Sequence, residues 1–199
     1  VTIRQIASEA GVPSALVGYY FGHKQDLFHA IFAHRQSMHV ERLRALDAAA
    51  MAGGSPAALA RLVEAFVQPL VRWRQSPADA HHALLLARET ARPARETAPV
   101  LQPFVDPLAT RFIEALSRMS PGASREDATW AYRFTLGALL HHLADERDER
   151  PTGPGTPQAC EAGVDRLVEF IVGGVRAVLD RPARAAPTVH TAPLETALP

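Results

Sequence analysis

The chain of 199 residues has one cysteine, Cys160, so it can form no disulfide within itself. That suits a reducing compartment and points to the cytoplasm. Long hydrophobic runs are missing: no apolar stretch approaches the ~20 residues of a membrane span, so a soluble protein is expected. No charged segment followed by an apolar one opens the chain, so nothing marks it for export. An excess of one charge is missing too. Lys+Arg and Asp+Glu number 21 each, a formal net charge of zero. A strongly basic protein holds nucleic acid by charge alone; this one cannot, so any nucleic-acid site must be local. Lysine is almost absent, Lys24 being the only one. That bias toward arginine, with abundant Ala and Pro, suggests a GC-rich genome and says nothing of function.

Signatures of catalysis are absent as well. There is no GxSxG, HExxH, phosphate-cradling glycine loop or dinucleotide fingerprint. The nine histidines include His81-His82 and His141-His142, but neighbours on a helix point about 100° apart and make poor joint ligands. His29, His34 and His39 recur every five residues, which is not one face. No HxxxH or CxxC spacing occurs. A metal site, a cofactor and an enzymatic activity are therefore not expected. Cys160 lies beside a loop with no base near it in sequence and reads as a packing residue rather than a nucleophile.

What is present is apolar and helical. At 47% hydrophobic and 21% charged the chain is not disordered overall, and it is long enough to bury a real core. The length fits one large domain or a small one joined to a medium one. Ala is the commonest residue and favours helix. Strand-like alternation is absent, so the fold class is all-α, without internal repeats.

Thr2 is a good N-cap for a helix with Ile3, Ile6, Ala7 and Ala10 on one face, and Gly11 suits its left-handed C-cap. Pro13 fits the start of a second helix to Phe21, with Val17 and Phe21 on its inner face. Gly22 and His23 break it. A longer helix is predicted from Lys24, with Leu27, Ile31, His34 and Met38 along one stripe, continuing past Leu43 and Leu46 into the Ala run at 48–50. Residues 51–56 break the pattern. Ser55 caps a helix from Pro56 to about Gln75, kinked at Pro69. Ser76-Pro77 opens another to about Ala91, which Pro93 ends. Glu96 to Met119 reads as helix interrupted at Pro99, Pro103 and Pro107. Ser124, with Asp127 three residues on, opens a long helix to about Arg150, whose charged end at 145–150 reads as solvated. A loop at 151–157, a last helix from Gln158 to Asp180 and a disordered tail from Pro182 complete the chain.

The first two helices, one following the other across a glycine turn, make a helix-turn-helix. Ser14, Ala15, Gly18, Tyr19 and Gly22 point outward. Small residues at 14, 15 and 18 let a helix lie close to base edges in the major groove. The hydroxyls of Thr2, Tyr19 and Tyr20 can meet phosphates, and Lys24 can add a charge at a helix N-terminus. An ordinary helical hairpin has the same spacing. Gly18 in mid-helix costs roughly 1 kcal/mol against Ala; close approach to DNA or internal packing would each account for it.

The run T-I-R-Q-I-A-S-E-A-G-V-P-S-A-L-V-G-Y-Y-F-G-H-K-Q-D-L-F resembles the N-terminal domain of tetracycline-repressor (TetR) family regulators. That family reads roughly T-x-x-x-I-A-x-x-A-G-V-S-x-x-x-(L/I)-x-x-(H/Y)-F-x-x-K-x-x-L. Thr2, Ile6, Ala7, Ala10, Gly11, Val12, Tyr20, Phe21, Lys24 and Leu27 match in order and spacing, and Val17 is a near match. The resemblance covers about 30 residues directly and begins at the cap of the family's second helix, so residues preceding Val1 are expected. It implies a bacterial, cytoplasmic homodimer of about nine helices per subunit: a ligand-gated repressor of a palindromic double-stranded DNA operator. By position it implies DNA contacts from Thr2, Arg4, Ser14, Ala15, Tyr19, Tyr20 and Lys24. Gly18, on the same outward face, stands where an aromatic or polar residue often sits.

The division expected is a head with connecting helix at 1–46, an effector-binding and dimerisation domain at 47–181 and the tail at 182–199. A pocket for a small-molecule effector is expected among the middle helices, with Phe66, Trp73, His82, Leu85, Arg88, Phe104, Phe112, Trp130 and Phe134 as candidate lining. The prolines at 99, 103 and 107 could splay a helix to make room. Two apolar faces at the chain's end suit a dimer bundle, with Phe134, Leu140, Val164, Val168, Ile171, Gly174, Val175 and Val178 as candidates; part of each face must serve the chain's own core. Two other readings stay open. One is a helical ligand-binding protein without a working head, whose mark is a genuine start at Val1. The other is an enzyme on a helical scaffold, which needs a cluster of titrating residues that the sequence does not display.

Overall fold

The computed structural model describes residues 1–51, 53, 55–144 and 157–181. Among them are nine α-helices and no strand: α1 (Ile3–Glu9), α2 (Ser14–Phe21), α3 (Lys24–His34), α4 (Gln36–Ala50), α5 (Pro56–Gln75), α6 (Ala80–Ala91), α7 (Ala98–Met119), α8 (Arg125–Ala144) and α9 (Pro157–Leu179). The all-α reading holds. The charged run at 145–150, the loop at 151–156 and the tail at 182–199 lie outside the described residues.

Helix α5 is the centre. It packs against α4, α6, α7, α8 and α9. Its buried residues come in adjacent pairs every four positions: Ala58 and Leu59, Leu62 and Val63, Phe66 and Val67, Leu70 and Val71. Pairs at that spacing make a stripe broad enough to face several neighbours at once. Phe66 meets Phe112 of α7 at 4.6 Å between ring centroids, and Tyr132 of α8 closes the group. Helix α5 runs as one helix through Pro69.

One apolar cluster extends from Phe28 and Phe32 of α3 to Leu179 of α9. The third helix of the head therefore shares its core with the body. The expected boundary at 46/47 falls inside α4.

Several boundaries differ from expectation. The long helix from Lys24 is two helices, because the chain leaves helical geometry at Arg35 (φ −104°, ψ 18°). At this break the Arg35 guanidinium pairs with Asp79 at 2.5 Å and donates to the Ala78 carbonyl at 3.0 Å. Its buried stripe is Phe28 and Phe32; Ile31 and His34 are exposed. Pro77 lies in a turn, where the Ser76 hydroxyl donates to Asp79 at 3.1 Å, and α6 begins at Ala80. Helix α7 is continuous through Pro103 and Pro107 rather than interrupted. These prolines free the carbonyls of Pro99 and Pro103, and both residues are exposed, so water can satisfy them. No splayed helix results. Ser124 and Asp127 form the expected box: the Ser124 hydroxyl accepts from the Asp127 N–H at 3.0 Å, and Asp127 accepts from the Ser124 N–H at 3.2 Å.

Phe112 has no exposed surface and sits where α5, α7 and α8 meet. Phe112→Ala is expected to cost ~3–5 kcal/mol of stability, as aromatic truncations in closed cores do. A denaturant midpoint left unchanged would place Phe112 outside the stabilising core.

Candidate nucleic-acid interface and interior polar cluster

The head is built by local signals. Thr2 accepts from the Gln5 N–H at 3.3 Å and its own N–H donates to Gln5 Oε1 at 2.8 Å, a capping box. Gly11 takes φ +67° and turns the chain, with the Val12 N–H closing on the Ala7 carbonyl at 3.0 Å. Gly22, at φ +66°, ends α2, and Asp26 accepts from the His23 N–H at 3.0 Å to start α3. Both glycines hold a backbone conformation that L side chains rarely adopt. Inside the head only Ala7 and Val17 are buried before α3; Ile3 and Ile6 are half-buried. Ala10 and Phe21, expected on the inner faces, are exposed. The short α1 and α2 bury less than their periodicity suggests.

All eight candidate DNA residues lie on the surface: Thr2, Arg4, Ser14, Ala15, Gly18, Tyr19, Tyr20 and Lys24. Tyr19 is 83% exposed and Tyr20 69%, and their rings meet edge to face at 5.3 Å. A Cβ built on Gly18 meets nothing within 4 Å. Internal packing therefore does not require glycine there, which removes one of the two accounts left open by the sequence.

The candidate lining residues separate into four places. Trp73, His82 and Phe104 gather with Phe32, His39 and Arg42 in the interior. His39 Nε2 and His82 Nε2 approach to 3.3 Å, and His39 lies 5.7 Å from Trp73 and 5.2 Å from Phe104 between ring centroids. Arg42 is 6% exposed and its guanidinium lies 5.3 Å from the Trp73 ring centroid. Phe66 and Phe112 belong to the closed core. Leu85 and Arg88 line an open groove of about 570 Å³ between α6 and α8. Trp130 and Phe134 are on the outer face of α8, stacked at 5.5 Å, and line no interior pocket. Their side chains point away from α5 and α6, which a periodicity of 3.6 alone does not reveal.

The dimer candidates divide as well. Val168, Ile171 and Val175 are buried in the chain's own core, because α9 packs on α5 and α8 through them. Leu140, Val164 and Val178 are half-buried, and Gly174 is exposed. Phe134, 60% exposed, and Phe170, 72% exposed, line a surface groove of about 360 Å³ with Gly174 and Val178. Phe170 was not among the residues expected.

His39, Arg42 and Tyr132 were also missed. A signal existed: His39, Arg42 and Leu46 stand at i, i+3 and i+7, so a cation shares a stripe with a core leucine. Burial lowers the His39 pKa to about 3, with Arg42 and His82 adding to the shift. Burial lowers His82 to about 4, with Arg35 next. Burial brings Arg42 down to about 9, and Tyr132 raises it in part.

Comparison with known family models gives two matches. Residues 64–174 match the tetracyclin repressor-like C-terminal domain, and residues 1–31 match the bacterial regulatory proteins of the tetR family. No curated protein matches the chain. The fold and the helix-turn-helix define a DNA-binding transcriptional regulator. The chain belongs to the TetR family. Among the described residues no helix is long and apolar enough to cross a membrane, and no group of three or more His, Cys, Asp or Glu could hold a metal ion.

The histidine pair makes stability depend on pH. Both are neutral when folded, while in the unfolded chain they take up protons below about 6.5. Their contribution is complete above that value and is lost as pH falls from about 6.5 toward about 4 for His82 and about 3 for His39. Thermal midpoints should drop across that window, and less steeply in the double variant His39→Gln/His82→Gln. Equal slopes would remove the pair as the cause.

Proposed function

We propose that the chain acts as a homodimeric, ligand-responsive repressor of a palindromic operator in the bacterial cytoplasm, without catalysis and without membrane attachment. The observation that carries the DNA side is the outer face of α2. Gly18 leaves it flat beside Tyr19 and Tyr20, although among the described residues no atom lies within 4 Å of where its Cβ would stand. A helix that surrenders stability for no internal contact fits close approach to an external surface. The proposed DNA face consists of Thr2, Arg4, Ser14, Ala15, Gly18, Tyr19, Tyr20 and Lys24. Small residues meet base edges, and hydroxyls and cations meet phosphates.

The dimer reading rests on the aromatic patch of α8 and α9. Trp130, Phe134 and Phe170 are large, apolar and exposed together with Gly174. Exposed apolar patches of this kind mark association sites, and a two-fold axis there makes a four-helix interface. Two recognition helices must then meet successive major grooves about 34–36 Å apart. The ligand response rests on α4. It joins the head through Arg35 and carries His39 and Arg42 into the interior. A small molecule there can release DNA by binding one head spacing better than the other.

A band shift on the DNA upstream of the gene tests the reading. A discrete complex that resists competitor DNA, with a palindromic footprint, is expected. Tyr19→Ala should weaken it ~10-fold, as the loss of one good contact does. Gly18→Ala should also weaken it while raising stability by up to ~1 kcal/mol. Unchanged affinity in both would overturn the placement of α2 on DNA. Gly174→Arg should yield monomers in sedimentation; an intact dimer would move the interface elsewhere.

A further inference from the structure

Arg42 is a cation in the middle of the molecule, and among the described residues no carboxylate lies within ion-pair distance of it. Its Nε has no hydrogen-bond partner. Stacking on Trp73 offsets part of the desolvation but supplies no acceptor. Buried guanidinium groups are normally neutralised by a bidentate acid. Arg42 faces a small void that it lines with Tyr132 and Thr90; the remaining walls are apolar, among them Phe66, Val105 and Leu140. Three residues with polar groups line an otherwise apolar void.

From this geometry we infer that the effector is an apolar carboxylic acid whose carboxylate pairs with Arg42, with the Tyr132 hydroxyl as a second donor. The inference rests on the ligand-responsive reading above and names its ligand class. A single positive charge suits a monoanion; a phosphate dianion would bring a charge that nothing on these walls neutralises. The void holds only about 20 Å³, the room of one water. The body of the ligand must therefore lie elsewhere. Leu140 lines both the void and the open groove between α6 and α8, whose rim carries Arg92 and Arg88, the latter paired with Glu89 at 3.3 Å. An acid drawn to that basic rim reaches the guanidinium by displacing Leu140, and its apolar part then fills the groove beside Leu84 and Leu85. Because Arg42 is on α4, the bound carboxylate pulls on the helix that meets the head at the Arg35 break.

Calorimetric titration of the full chain with hexanoate, octanoate, decanoate and phenylacetate, each against its primary alcohol, tests this. At least one acid is expected to bind ~10-fold or more tighter than its alcohol, the increment of one charged hydrogen-bond pair. Arg42→Met should abolish the preference, with helical content and thermal midpoint confirming the fold; Arg42→Lys should keep part of it. If Arg42→Met does not fold, Arg42→Gln replaces it. Acids that bind no better than alcohols, the absence of binding by all four acids, or a folded variant that keeps the preference would each overturn the inference. Band shifts with the same compounds separate it from the reading it rests on. A neutral compound that releases DNA while no acid binds removes the carboxylate and leaves ligand gating standing. An acid held through Arg42 that leaves DNA affinity unchanged keeps the site and removes the gating.

Discussion

The apolar contact that ties the two ends of this molecule together centres on Phe32. Its ring is wholly buried and touches Phe28 on its own helix, His82 on α6 and Phe104 on α7. A head that hung from the body by a linker could bind DNA but could not report on what the body holds. With Phe32 and Phe28 inside the common core, α3 cannot move without disturbing α6 and α7. Close-packed interiors pass on such displacements because they have no slack to absorb them. The Arg35 break adds a second tie, since its guanidinium is fixed to the turn before α6. Helix α4 then leaves in a new direction and delivers His39 and Arg42 to the interior. One short stretch of chain thus joins the DNA head, the core and the polar cluster.

The head has the opposite character. Between Thr2 and Phe21 only two side chains are buried among the described residues, and the boundaries of α1 and α2 are set by caps and turns. Those devices are local and each is worth about 1 kcal/mol. Local devices are also the ones a sequence displays. Thr2, Gly11, Pro13 and Gly22 could be read as boundaries because the constraint at each is within three or four residues of its cause. The same holds for Ser124 with Asp127.

The body was legible only as helices. Its apolar stripes announce that α5, α7, α8 and α9 bury a face, but not which of two adjacent stripes is inside or what covers the other. The stripe through Leu27 and Ile31 gives way to the neighbouring one, Phe28 and Phe32, because Phe32 meets His82 of α6 and Phe104 of α7. Val168, Ile171 and Val175 fit a dimer face as well as a core, and α5 claims them. The break at Arg35 coincides with contacts to Asp79 and Ala78, far along the chain, and no window around residue 35 contains those partners. The prolines of α7 mislead for a similar reason. A proline breaks a helix when the carbonyl it frees has no partner, and exposure of Pro99 and Pro103, a tertiary fact, decides that.

Arg42 was hidden by the strongest prior of all, that arginine belongs at the surface. Its burial carries a consequence for how the proposed response works. An uncompensated buried cation raises the energy of the unliganded state, and the histidines beside it, held neutral by burial, bring no opposite charge to offset it. An anion is the one kind of ligand that gains from this arrangement, since it meets a partner already stripped of water. A neutral ligand of the same shape would fill the same apolar groove and leave the cation unpaired. Specificity then comes from the cost of the free state rather than from a crowd of polar contacts. The energy released on pairing is also delivered on α4, where it can act on the head, instead of being dispersed over a rim.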